Sequence, residues 1–341
     1  PVLALGSHMK NTLCLAWGRR AVVSPHIGEL DSPRSLDTLA RVAADLQALY
    51  RVRATRLLVD RHPGFGYRGY ARAGRLPLAE IWHHRAHASA LAWEFPQASD
   101  WIVFAWDGVG LGEDGTLWGG EAFTGAPGRW RRAASFRPFR LPGGEAAGRE
   151  PWRAAAALLW ETGRPAPFAP APLFQAWQKR LNSPATSSVG RLFDAAAALA
   201  GVCTHASFEG EGPMRLEALA AGEAEAVPLP LRLDDDGVWR SDWAPLPPLL
   251  ADPARPVAAR AADFHASLAR ALVDQARALR AETGIASVGL TGGVFQNRRL
   301  TEAALAGLGA AGFAARLPRR LPVNDAGLSL GQVIEFLHTR P

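Results

Sequence analysis

Trp101-Ile102-Val103-Phe104-Ala105-Trp106-Asp107-Gly108-Val109-Gly110-Leu111-Gly112 opens with six apolar residues in a row and then turns to glycine, with a carboxylate at the junction. An unbroken apolar run of that length predicts a strand buried on both faces, and the glycines after it predict a loop. The same order stands at the start of the chain. Residues 2–5 read as a short buried strand, a Gly-containing loop runs to Lys10-Asn11-Thr12, and residues 13–17 with 21–24 form a hairpin around Gly18-Arg19-Arg20. Gly6-Ser7-His8-Met9 is read as part of this fold because a strand precedes it. After Gly112 the pattern returns, with strands over residues 116–123 and 131–136. In the first half an amphipathic helix opened by Ser32-Pro33, with Leu36, Leu39, Val42, Ala43, Leu46 and Leu49 on one stripe, leads to a strand over 56–60. In the second half, helices over 188–201 and 256–283 lead to a strand over 285–290. A layout seen twice predicts two related α/β lobes, although residue identity between the halves is weak. The expected division is residues 1–100 for the first lobe and 101–325 for the second, with a final helix over 326–341 returning to the first. The Pro-rich stretches 163–172 and 227–256 are read as loops or insertions.

Composition narrows the classes of function. A chain of 341 residues with 48% apolar and 21% charged side chains is that of a globular protein with two cores. Only Cys14 and Cys203 are present, which excludes a disulfide framework and a Cys-based zinc finger. The net charge of +6 comes from dispersed arginines without a basic block or aromatic interleaving, so no nucleic-acid partner is expected. No apolar run approaches a membrane span and no leader opens the chain, which sets the expectation of a cytoplasmic protein with no membrane partner.

The chemistry centres on Ile81-Trp82-His83-His84-Arg85-Ala86-His87-Ala88. On a helix His83 and His87 stand one turn apart on one face, the spacing by which two imidazoles reach one cation. His84 points roughly 100° away and is assigned a hydrogen bond to substrate. Asp107 and Asp325, in Gly-flanked loops, are the best-placed carboxylates to complete the set. Two His and two Asp suit Fe(II) or Zn, and Mg or Ca less well. An alanine-rich helix with histidines on its polar rim is the competing reading, as is Asp325 acting only as a helix cap. Gly108, Gly110, Gly119 and Gly120 on one side, and the loop Thr291-Gly292-Gly293-Val294-Phe295-Gln296-Asn297 on the other, are candidate anion cradles; alone, each is also an ordinary turn. Lys10, in the turn with Asn11 and Thr12, would neutralise a phosphate or leaving group. Asp194, two turns into an apolar helix, would be an unusual buried carboxylate unless it binds something such as a ribose hydroxyl. No Gly-x-Ser-x-Gly elbow or Walker loop occurs, so acyl-serine and P-loop mechanisms find no support.

Together these segments resemble the C-terminal carbamoyl-transfer module of the HypF family of hydrogenase maturation factors. The ordered matches include Leu3-Ala4-Leu5-Gly6, Lys10-Asn11-Thr12, His83-His84-Arg85-Ala86-His87-Ala88, Asp107-Gly108-Val109-Gly110, Trp118-Gly119-Gly120-Glu121 and Leu141-Pro142-Gly143-Gly144. They continue through Arg149-Glu150-Pro151-Trp152-Arg153, Asn182-Ser183-Pro184, Gly190-Arg191-Leu192-Phe193-Asp194, Gly292-Gly293-Val294-Phe295-Gln296-Asn297 and Asn324-Asp325-Ala326-Gly327. The resemblance implies the duplicated actin/Hsp70-like ATPase (RNase H-like) architecture with a central cleft. It implies a metal held by His83, His87, Asp107 and Asp325, with the AMP moiety of carbamoyl adenylate beside it. Asp194, Gly292, Gly293 and Asn297 would bind the adenosine part, Glu209 and Gly210 the ribose, and Lys10 would lie near the reacting group. The acceptor implied is the C-terminal Cys of a HypE-type partner. Phe208-Glu209-Gly210-Glu211-Gly212-Pro213 departs from the family's usual Glu-Gly-Gln-Ala-Ala, which puts the ribose contacts in question. The family's zinc-finger and YrdC-like adenylating domains have no counterpart here, so the expected role is transfer, with adenylation in cis or trans by another module. Competing readings are an O-carbamoyltransferase acting on a small-molecule hydroxyl and a non-catalytic nucleotide-binding scaffold.

Overall fold

A computed structural model describes residues 1–339; the last two residues of the stretch 326–341 lie outside the described residues. The first sheet comes from β1 (Val2–Ala4), β2 (Cys14–Trp17), β3 (Arg20–Val23), β4 (Arg56–Asp60) and β5 (Leu78–Ile81), ordered β3-β2-β1-β4-β5. Helix α1 (Pro33–Tyr50) and the short α2 (Arg68–Ala73) join its strands, and α3 (His83–Glu94) follows it. Ser32 caps α1, with its hydroxyl accepting from the Ser35 amide and Pro33 standing just inside.

The second sheet is built on β6 (Trp101–Leu111), β7 (Leu117–Gly125) and β8 (Arg131–Phe136), with the small pair β9 (Phe139–Arg140) and β10 (Ala185–Thr186) beside β7. Helices α4 (Pro151–Glu161), α5 (Ala171–Gln178), α6 (Val189–Leu199) and α7 (Glu211–Leu219) intervene before β11 (Leu231–Leu233), β12 (Trp239–Ser241), α8 (Leu246–Ala251) and α9 (Val257–Thr283). The chain then runs through β13 (Ser287–Thr291), α10 (Arg298–Ala310), β14 (Ala314–Arg316) and α11 (Leu328–His338). Within this sheet β8-β7-β6-β13-β14 repeats β3-β2-β1-β4-β5: three antiparallel strands, then two parallel ones on the far side of the first. The fold is therefore the two-lobed, duplicated actin/Hsp70-like arrangement. The stretch 227–256 is more than loop, because β12 extends the sheet edge parallel to β8 and α8 follows.

Alternation along each first strand explains how the lobes join. Leu3 enters a core with α1, while Val2 and Ala4 face a second core with Leu330, Val333 and Phe336 of α11. Ile102, Phe104 and Trp106 of β6 face the large core with α6 and α9, while Trp101, Val103 and Ala105 face Ala88 and Leu91 of α3. So α11 lies on one sheet and α3 on the other, and the two helices pack together between them. The residues after Trp106 are not a loop as their glycines suggested. They continue β6 with a register break in which Trp106 pairs Gly120 and Gly110 pairs Trp118, leaving Asp107, Gly108 and Val109 bulged from the ladder. A bulge re-aims a side chain without ending the strand, and here the side chain is Asp107.

Candidate metal centre and nucleotide cleft

The face of α3 presents His83 and His87, the β6 bulge presents Asp107, and the turn entering α11 presents Asp325. All four are buried, and one donor atom from each lies within 4.8 Å of the others. His83 Nε2 is 3.2 Å from Asp107 Oδ2 and 3.7 Å from Asp325 Oδ1; His87 Nε2 is 3.3 Å and 3.2 Å from the same two oxygens. Donors about 2 Å from one tetrahedral cation stand roughly 3.3 Å from one another, so this set has the spacing of a metal shell. Asp325 escapes the capping role because Asn324 takes it, accepting from the Ala326 amide. Ser7 Oγ instead donates to Asp325 Oδ2 at 2.7 Å.

The four groups also perturb one another's charges. Burial opposes ionisation of Asp107, yet hydrogen bonds from His83 and His87 hold its carboxyl well below the usual range. Asp325, despite burial and the adjacent Asp107 carboxylate, is held at about 2 by the same histidines. Burial alone would strip the proton from His83, but Asp325 and Asp107 raise its pKa well above the ordinary value. In His84 burial, aided by His83, wins, so that ring is neutral. Both His84 nitrogens are buried and without a hydrogen-bond partner among the described residues.

Asp107 is also the edge of a cleft of about 460 Å³, a size suited to a small-molecule ligand. Lys10, Gly108, Asp194, Glu209, Gly210, Gly293 and Asn297 line it with Gln296 of the same candidate cradle, together with Gly190, Arg191, Phe208 and Met214, to which the sequence assigned no role. Asp107 Oδ1 accepts from the amides of Gly108 at 2.8 Å and Gly293 at 3.2 Å, tying both glycine loops to the four-residue cluster. Lys10 forms an ion pair with Glu209 from the opposite lobe. Asp194 pairs with Arg191 at 2.9 Å, and burial pushes its carboxyl up to about 6.

Other glycines have different work. A Cβ on Gly110 would stand 2.6 Å from His84 Cε1, so this glycine makes room for the imidazoles. The amides of Gly119 and Gly120 both donate to the buried carboxylate of Glu121, at 2.6 and 2.7 Å, and are not available to a phosphate. Gly292 takes a left-handed backbone (φ +98) against the Trp106 carbonyl and shapes the loop. Asn11 is buried and donates to the carbonyls of Leu5 and Ser7. Thr12 donates to the Ala326 carbonyl and bonds Ser329, so it braces the Asp325 turn. Asn297 lines the cleft, but its Oδ1 caps α10 at Leu300 and its Nδ2 donates to His265 Nε2.

Comparison with known proteins agrees with this geometry. Residues 1–94 match the HypF Kae1-like domain, and residues 103–332 match the carbamoyltransferase Kae1-like domain, second subdomain. The chain belongs to the HypF family. It is 41% identical over 348 residues to a carbamoyltransferase HypF of Rhodobacter capsulatus, covering 98% of this chain and 46% of that protein. It is 38% identical over 355 residues to a HypF homolog of Cupriavidus necator, covering 97% and 90%. A full-length HypF solved in a phosphate- and nucleotide-bound form superposes with a TM-score of 0.91 at 30% identity, covering 98% of this chain and 46% of that one. The chain thus spans about half the length of most of the curated relatives it matches. Among the described residues no helix is long and apolar enough to cross a membrane. One side chain of this HypF-family centre was missed from sequence: Asp60, ending β4, lies 2.8 Å from His83 Nδ1. No local signal marked it, since a carboxylate closing an apolar strand before a polar loop is ordinary.

Proposed function

We propose that the chain transfers the carbamoyl group of carbamoyl adenylate to the C-terminal Cys thiolate of a HypE-type partner in hydrogenase maturation. The observation that carries this reading is the double role of Asp107, which belongs to the metal-type cluster and to the wall of the nucleotide-sized cleft. His83, His87, Asp107 and Asp325 would hold one divalent cation, Fe or Zn by donor chemistry, which when bound would polarise the carbamoyl carbonyl. A C–S bond forms to the thiolate as the C–O bond to the phosphate breaks, and the electron pair leaves with AMP. Lys10, exchanging Glu209 for the phosphate, disperses the leaving charge. The neutral His84 supplies an N–H donor to the substrate. Asp194 and Glu209 accept from ribose hydroxyls. Cys14 is fully buried with its thiol pushed up to about 12, and Cys203 is buried with its pKa raised by the same cause. Neither is a nucleophile for a covalent enzyme intermediate, which favours direct transfer.

Intact mass of the partner tests the reading, once with preformed carbamoyl adenylate and once with carbamoyl phosphate plus ATP. Modification of the terminal Cys with the adenylate alone is the expected result and assigns transfer without adenylation to this chain. No modification in either case sinks it. A second expectation concerns pH. The ionised Asp194 accepts from ribose, and ionisation is lost as pH falls through about 6. AMP affinity should therefore drop several-fold between pH 7.5 and 5, and Asp194→Asn should flatten that profile while weakening binding at pH 7.5; calorimetric titration reads both.

A further inference from the structure

Asp60 is buried at the end of the interior strand β4, and its carboxylate has no role in the steps derived above. Its Oδ2 lies 2.8 Å from Nδ1 of His83, on the side of the ring opposite Nε2 and the other cluster atoms. Its Oδ1 accepts from the His62 amide at 2.8 Å. Its own amide donates to Tyr67 Oη at 3.0 Å, and that hydroxyl donates to the Gly6 carbonyl at 3.1 Å. Tyr67 is wholly buried. The His62 amide thus holds the carboxylate, and Tyr67 holds the backbone that carries it, before it meets the imidazole.

We propose that Asp60 is the positioning residue of the metal centre, fixing His83 in the Nδ1–H tautomer so that Nε2 keeps its lone pair for the cation. The physical reason is that a neutral imidazole has one N–H and one lone pair, and the partner of one nitrogen decides which remains on the other. A carboxylate accepts and does not donate, so at 2.8 Å it requires the proton on Nδ1. It also raises the basicity of the ligating nitrogen and stops rotation of the ring. Asp60 is not a fifth ligand, since it meets the far nitrogen of His83. A merely structural carboxylate would tie β4 to α3 and leave the tautomer and the cation's affinity unchanged.

The inference rests on the metal reading above, and the test separates the two. Zinc affinity of the full chain is measured by competition with a chromophoric chelator for wild type and Asp60→Asn. Side-chain 15N resonances of His83 are recorded in zinc-loaded, histidine-labelled wild type. Zinc binding by wild type, a loss of about 10- to 100-fold in Asp60→Asn, and a protonated Nδ1 with metallated Nε2 are the expected results. Equal affinity in the variant, or coordination through Nδ1, overturns the role of Asp60 and leaves the metal centre standing. No zinc, cobalt or iron binding by wild type overturns the metal centre, and the role of Asp60 falls with it. Because the 15N measurement uses the unaltered chain, coordination through Nδ1 overturns the role of Asp60 even if Asp60→Asn fails to fold.

Discussion

Asp325→Ala is expected to lower carbamoyl transfer by at least about a hundredfold while the chain still folds, the loss typical of removing one preorganised electrostatic group from a reaction centre. Asp325 supplies one of the four converging donor atoms and is the only one brought by the turn into α11. Without it the cluster keeps two imidazoles and Asp107, too few to hold a cation as tightly. No charge is stranded, because His83 keeps Asp60 and Asp107 and His87 keeps Asp107. The hydroxyl of Ser7 loses its acceptor, which costs about 1 kcal/mol. His83→Ala should abolish transfer equally but unfold at lower temperature, since it leaves the buried Asp60 carboxylate without its imidazole. Partner modification, bound metal by elemental analysis and thermal melting followed by circular dichroism read these outcomes. Full activity in metal-stripped wild type would refute the role of the cluster.

Gly331→Ala has its effect from a distance. Gly331 lies on α11 where that helix crosses α3, and a Cβ there would stand 2.0 Å from the Ala86 carbonyl oxygen and 2.7 Å from its carbon. Two opposed effects meet at this position. Helix propensity favours Ala over Gly by about 1 kcal/mol. Overpacking a rigid contact costs about 1–3 kcal/mol, and an overlap with backbone this deep lies at the upper end. Packing therefore wins, with a net loss of about 2 kcal/mol. To relieve it the helices must part, and α3 carries His83 and His87 while α11 follows Asp325. Donor spacings of 3.2 to 3.7 Å do not survive such a shift. Zinc affinity should fall at least tenfold with all four ligands present. A more stable variant with unchanged affinity would show that propensity decides and that the helices do not set the site.

The strand-end Asp60 and the capping Asn324 show where reading the sequence stops. Asp107, Asp194 and Asp325 were legible because a carboxylate beside glycines or inside an apolar helix is locally anomalous. Asp60 closes an ordinary strand before a polar loop, so nothing local marks it; only the docking of α3 gives it an imidazole to hold. The glycines divide in the same way. Gly108 and Gly293 line the cleft, whereas Gly119 and Gly120 spend their amides on Glu121 within their own strand. Composition cannot distinguish a glycine that frees an amide from one that only makes room.

By itself the sequence determined most of the elements and their duplication, because periodicities of two and 3.6 residues and caps such as Ser32 act within a few residues of chain. It also determined half of the metal-type site, since two imidazoles one helical turn apart share a face whatever surrounds them. Asp107 and Asp325 could be named from their glycine-flanked places, but only tertiary structure brings them, with Asp60, to the imidazoles. Asp60, Asp107 and Asp325 are separated from the histidines by 23, 24 and 238 residues in the contacts they make. They meet because α3 and α11 lie against each other at a glycine between two sheets, and an encounter over that separation leaves no local pattern in the chain.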